Sequence, residues 1–155
     1  MRLNIMTKEE YEEFYILLIN NYAFENVQAG YWEEEEALEK SKKSTDSLLS
    51  KGLETENHYL FSLYSEIDKT IIGSLWLFIE IKSKKKTAFI YYIIISEHFR
   101  GKGYAKDTLK ATEQWLKERQ VQNLGLHVFA SNKVARNLYT NFGFKVTSLN
   151  MEKEL

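Results

Sequence analysis

The chain has 155 residues, a length that suits one domain, residues 1–155, with a hydrophobic core of its own. Lysine and arginine total 21 against 22 acids, and a formal net charge of −1 argues against nucleic acid as a partner. There is no cysteine, which excludes disulfides, thiolate zinc sites and a cysteine nucleophile.

Arg2 to Met6 alternates enough for an edge strand. No long apolar run stands behind it, so neither a signal peptide nor a membrane span is expected, and the cytoplasm is the expected location. Thr7-Lys8-Glu9-Glu10 is a capping box, in which hydroxyl and carboxylate exchange bonds with the first free N–H groups of a helix. Tyr11, Phe14, Tyr15 and Leu18 then recur at helical spacing. A loop containing Asn20, Asn21, Asn26 and Gly30 is expected next. Glu33 to Ser50 reads as a polar second helix stopped by Gly52. Tyr59 to Tyr64, Thr70 to Ile81 and Thr87 to Ser96 read as strands. The run Lys82 to Lys86 is a solvated hairpin loop between the last two. Ala105, Leu109, Thr112 and Leu116 mark one face of a third helix. Leu124 to Phe129 is a strand, Lys133 to Phe142 a helix capped by Ser131 or Asn132 and ended by Gly143, and Phe144 to Met151 a last strand. The order β-α-α-β-β-β-α-β-α-β predicts an α/β (α+β) fold, a mixed sheet with helices on its faces.

One join in this order carries chemistry. Ile93-Ile94-Ile95 is a buried strand end, Ser96 to Gly103 a loop, and Tyr104-Ala105-Lys106 a helix start. Free N–H groups and the helix dipole favour an anion there. Gly101 and Gly103 let the backbone approach it, and Arg100 and Lys102 add positive charge. The loop is built for a phosphate or diphosphate. It is not a P-loop, because no G-x-x-x-x-G-K-[S/T] run exists, and it is not a dinucleotide fingerprint, because the third glycine and the later acid are missing. What remains is Arg100-x-x-Gly103-x-Ala105.

That form resembles the pyrophosphate loop of the GNAT superfamily of acetyl-CoA-dependent N-acetyltransferases. A second block, His127 to Phe144, resembles the other signature of that family: a strand, Asn132, a helix with Leu138-Tyr139, then Gly143-Phe144. The resemblance is specific from Ala88 to Phe144. It implies a mostly antiparallel central sheet with helices on both faces, in which two parallel strands splay and admit the cofactor. It further implies direct transfer of the acetyl group of acetyl-CoA to a primary amine of a small molecule or peptide. Arg100, Gly101, Lys102, Gly103, Tyr104 and Ala105 would hold the diphosphate, mainly through N–H groups. Ile93 and Ile95 would meet the pantetheine arm through their backbone, with the Ile95 N–H as oxyanion donor.

Tyr139 matches the family's general acid and a cofactor contact by resemblance, although Val134, Leu138 and Phe142 on the same face also make it a core residue. Asn132 is a pantetheine contact or an N-cap, or both. The base stays open, because Tyr92 and Ile94 stand where many members carry an acid; Glu80 and His127 are the candidates. Tyr31 and Trp32, between the first two helices, border the acceptor pocket by resemblance, or cover the core. No residue set suggests a metal. An exposed last strand would permit a homodimer. Ile94 in place of an acid also leaves open a module that binds acyl-CoA without turnover.

Overall fold

The computed structural model of the chain describes residues 1–155. Its elements are β1 (Arg2–Ile5), α1 (Lys8–Gln28), α2 (Glu34–Leu48), β2 (His58–Ser65), β3 (Thr70–Lys82), β4 (Lys85–Ile95), α3 (Tyr104–Lys117), β5 (Asn123–Leu126) and α4 (Lys133–Phe142). The five strands form one sheet in sequence order. Every neighbouring pair is antiparallel except β4–β5, which is parallel.

Two cores explain why helices occupy both faces. Leu63, Leu75, Leu77, Ile79, Ala88 and Ile90 from the strands pack with Leu109 and Leu116 of α3. On the other face, Phe14 and Leu18 of α1 pack with Met6, Leu49, Leu60 and Trp76. Thr108 and Thr112 are fully buried in α3, and each hydroxyl donates to the carbonyl one turn back at 2.8 Å, which keeps two polar groups satisfied in an apolar layer. Ser41 donates to the Ile19 carbonyl at 2.6 Å and ties α2 to α1. No helix is long and apolar enough to cross a membrane.

The capping box at Thr7 forms as expected, with Glu10 N–H to Thr7 Oγ1 at 3.2 Å and Thr7 N–H to Glu10 Oε2 at 2.9 Å. The Lys82 to Lys86 run closes the β3–β4 hairpin through Ser83 and Lys84, both exposed and both at positive φ (50° and 64°).

Two expectations are corrected. The segment with Asn20, Asn21 and Asn26 is not a loop, because α1 runs on to Gln28. Asn20 and Asn26 donate to the carbonyls of Ile16 and Tyr22, one turn back, at 2.7 and 2.8 Å, so their amides are satisfied without leaving the helix. The last strand does not form either: no regular element follows α4. Strand β5 is short, and residues 124–130 and 144–150 both line a cleft of about 720 Å³. The apolar alternation of the terminal segment therefore finds no ladder to join, and Val146, Leu149 and Met151 remain exposed. An exposed final strand was the ground for expecting a homodimer, and that ground is absent.

Candidate active site

The β4–β5 ladder is short. It pairs Thr87–Ile90 with Asn123–Leu126 and goes no further, while β4 continues to Ile95. The two parallel strands therefore part after Ile90 and Leu126. The β3–β4 register also slips between Trp76 and Leu77, leaving Tyr91 as an extra residue at the point of parting.

Beyond that point one edge of β4 is open. Ser96 N–H donates to the Ile72 carbonyl of β3 at 2.8 Å. Successive residues of an extended strand alternate sides, so the N–H groups of Ile95 and Ile93 point away from β3 into the gap. The Ile95 carbonyl, on that side, accepts from Arg100 Nε at 2.8 Å. Both isoleucines thus present backbone groups to the splay.

The loop that follows carries the strongest electrostatic feature of the chain. Gly101 and Gly103 have φ of +76° and +87°, a region that L side chains avoid, and nothing lies within 4 Å of where a Cβ would stand on either. Gly103 is the N-cap of α3 and supplies no side-chain cap. The first bond of the helix runs from Asp107 N–H to the Gly103 carbonyl at 3.2 Å. The N–H groups from Gly101 through Lys106 are left with no partner in the protein. A run of free donors at the positive end of a 14-residue helix, in front of open space, has the chemistry to hold an anion.

The side chains of this loop hold its shape. Arg100 is tied to the Ile95 carbonyl, and so pins the loop to the strand end. Buried Tyr104 donates its hydroxyl to Asp68 in the β2–β3 turn, where Ser65 Oγ also donates to Asp68 Oδ2 at 2.5 Å. These hydroxyls, with Lys102 nearby, hold the Asp68 carboxyl below its ordinary range, and the carboxylate in turn raises the Tyr104 phenol. Tyr104 thus offers its N–H to this run of donors while its ring anchors the helix start. Lys102 Nζ lies 5.4 Å from the Phe99 ring centroid at the solvent edge. Ala105 is half-buried against the core.

Asn132 caps α4, its Oδ1 accepting from Ala135 N–H at 3.1 Å, and it also lines a pocket of about 220 Å³ beneath the end of α1. Tyr139 lies half-buried against the α3-side core, its ring 5.6 Å from that of Phe144. Its hydroxyl has no protein partner and is not sealed from solvent. Burial raises its pKa, so it carries its proton at neutral pH.

The base candidates separate. Glu80 is exposed and pairs in register with Thr87, at the end of the β4–β5 ladder remote from the splay. His127 follows directly on the last ladder residue, exposed, with its ring 5.1 Å from Phe129. Tyr31 is 65% exposed and faces Phe129 at 6.3 Å across the mouth of the larger cleft, whereas Trp32 is half-buried edge-on against Tyr22 at 5.2 Å. Of the two, Tyr31 is the more open to a ligand.

One cluster at the splay is absent from the sequence reading. Asn21 Nδ2 donates to the Tyr92 hydroxyl at 2.7 Å. Tyr92 lies two residues past the last β4–β5 pair, and its phenol is pushed up to about 12, chiefly by burial. The charge of Glu25 adds to that rise. The sequence signal was a polar pair on an apolar stripe: Phe14 and Leu18 are followed at helical spacing by Asn21 and Glu25.

Comparison with known proteins places this geometry. Residues 13–144 match the model of the acetyltransferase (GNAT) family. The uncharacterized N-acetyltransferase YycN of Bacillus subtilis is 41% identical over 153 residues, covering 99% of this chain and 97% of that protein. The uncharacterized N-acetyltransferase YdgE of the same organism is 36% identical over the same length, with the same coverage. The crystal structure of YycN superposes with a TM-score of 0.94 at 40% identity, over 99% of this chain and 98% of that one.

Proposed function

The chain belongs to the GNAT acetyltransferase family, and on that premise we propose that it moves the acetyl group of acetyl-CoA directly to a primary amine of a small molecule or peptide. The observation that carries this reading is the run of unpartnered N–H groups from Gly101 to Lys106 beside the open edge of β4. The residues present fit the cosubstrate. A diphosphate takes several donors at once, and the glycines leave room for it. The N–H groups of Ile93 and Ile95 suit the amides of a pantetheine arm lying in the splay as a third strand. Acetyl-CoA supplies an activated acetyl thioester. The protein's tasks are to place the amine against it, hold the developing oxyanion and return a proton to sulfur.

The Ile95 N–H is the oxyanion donor in this scheme. Tyr139 gives the proton to the departing thiolate, since its raised pKa keeps that proton in place until the C–S bond breaks. In this scheme amine and thioester meet directly, and the chain has no cysteine thiol to carry the acetyl group.

A thiol-release assay with acetyl-CoA and a panel of polyamines, aminoglycosides and lysine peptides tests the reading. Turnover on at least one amine is expected, and Tyr139→Phe lowers kcat by about 10²-fold or more while acetyl-CoA affinity is retained. The rival, an acyl-CoA-binding module without turnover, rests on Ile94 in place of an acid. It prevails if acetyl-CoA binds and no amine releases thiol.

A further inference from the structure

We propose that Glu25, at the end of α1 on the face that carries the Asn21–Tyr92 bond, is the base that takes the proton from the acceptor ammonium; this rests on the acetyl-transfer reading above. Four placements lead there. First, Glu25 is one helical turn from Asn21, so both lie on one face of α1, and the 2.7 Å bond from Asn21 fixes that face to the Tyr92 hydroxyl. Second, Tyr92 stands just past the end of the β4–β5 ladder, at the splay. Third, Glu25 lines a pocket of about 220 Å³ together with Phe24, Gln28, Phe129, Ser131 and Asn132, so it faces the loop that opens from β5. Fourth, the position where many family members carry an acid is Ile94, which cannot take a proton, and of the two bases suggested by the sequence Glu80 lies at the far end of the ladder and His127 lies outside the pocket that Glu25 lines.

The surroundings suit the task. Glu25 keeps solvent access at the pocket rim, yet desolvation around its carboxylate raises its pKa above the ordinary value. A base with a raised pKa accepts an ammonium proton more readily at neutral pH. The ionisable and charged groups facing it are few. Tyr92 on β4 is neutral, Arg100 is sensed at Tyr92 from the loop, and the pocket residues of the β5–α4 loop carry no charge. The Tyr92 hydroxyl accepts from Asn21 and donates to no protein group, so its hydrogen is free for the carboxylate or for an incoming amine. A small pocket with one carboxylate and the rings of Phe24 and Phe129 selects an unbranched primary alkylammonium.

The protons balance as follows. Glu25 takes one proton from R–NH3+, and the freed lone pair forms the C–N bond at the thioester carbon. As the C–S bond breaks, the Tyr139 hydroxyl protonates sulfur, and Tyr139 regains a proton from the surplus one on nitrogen. Glu25 then releases its proton to water. One alkylammonium and one thioester give one amide, one thiol and one proton.

The sign of the pH dependence follows, because the ionised carboxylate is the active form. Activity rises with pH through the Glu25 pKa and is lost below it. The test compares wild type with Glu25→Gln on n-butylamine and on the weakly basic 2,2,2-trifluoroethylamine, across pH. Calorimetry with acetyl-CoA serves as the control for folding and cosubstrate binding. The expected result is a fall of about 10²-fold in kcat on n-butylamine, loss of the rising limb, and a much smaller fall on trifluoroethylamine, which is already neutral. Glu25→Asp should restore part of the limb. Carbon-13 NMR of side-chain-labelled glutamate in the free protein gives a second readout, with one carboxyl titrating above the rest and missing from the Gln variant. Equal rates for wild type and Glu25→Gln, or an ordinary titration of the Glu25 carboxyl, would overturn the role of Glu25 and leave acetyl transfer standing. Failure of the wild type on both amines, with turnover on another amine of the panel, would overturn the alkylammonium pocket at Glu25; failure on every amine would overturn acetyl transfer as well.

Discussion

Gly103→Val lowers affinity for acetyl-CoA by about 10²-fold or more while the protein stays folded. Gly103 sits at φ +87°, and a β-branched residue is strained there, at a cost of about 1–3 kcal/mol. Sterically the protein has room, since no heavy atom lies within 4 Å of the added Cβ. The isopropyl group instead projects into the open space before the donors of Gly101 to Lys106. Losing even two hydrogen bonds to a charged diphosphate, each worth about 1.5–3 kcal/mol, accounts for the drop. Calorimetric titration gives the affinity and thermal unfolding gives the stability. An unchanged dissociation constant would mean that these N–H groups do not meet the ligand.

Gly73→Ala is expected to lower stability more than any other single methyl added at a glycine of this chain. Gly73 has an ordinary extended backbone, so the reason is space. An added Cβ would lie 2.1 Å from the Ile94 carbonyl oxygen and 3.2 Å from Ile95 Cα, all rigid backbone. β3 and β4 must part at the register Gly73–Ile95, where the splayed edge begins its turn into the loop. Such overpacking costs about 3 kcal/mol, roughly 6–12 °C in Tm for a chain of this size. The same change at Gly101, where a Cβ meets nothing, costs about 1 kcal/mol through φ alone. Equal melting temperatures for the two variants would contradict the packing argument. Because Ile95 also anchors Arg100, Gly73→Ala should weaken acetyl-CoA binding as well.

Local chemistry was legible in the sequence. The capping box at Thr7, the caps Asn132 and Gly143 around α4, and the glycines at the start of α3 all depend on neighbours within a few residues. Groups whose partners are distant in the chain were not legible. Arg100 and Tyr104 read as ligand contacts, but their side chains are engaged by Ile95 and Asp68, and Asp68 lies on a turn 36 residues away. The asparagines of α1 read as a loop because their amides satisfy carbonyls one turn back, a bond that composition does not reveal. The final strand was expected from its alternation. Alternation states which side chains share a face, not whether a ladder edge lies within reach, and here the cleft beside β5 intervenes. Glu25 carries no local signal of a pocket in the sequence, because the pocket it lines is completed by residues of the β5–α4 loop. Its significance comes from Tyr92, brought alongside by the sheet.

The grip on the diphosphate is tested most directly by titrating the wild-type protein calorimetrically with acetyl-CoA and with S-acetylpantetheine, which keeps the thioester and the pantetheine arm but lacks the diphosphate. If the donors of Gly101 to Lys106 hold that group, acetyl-CoA binds at least about 10²-fold more tightly. Equal affinity for the two ligands would contradict it.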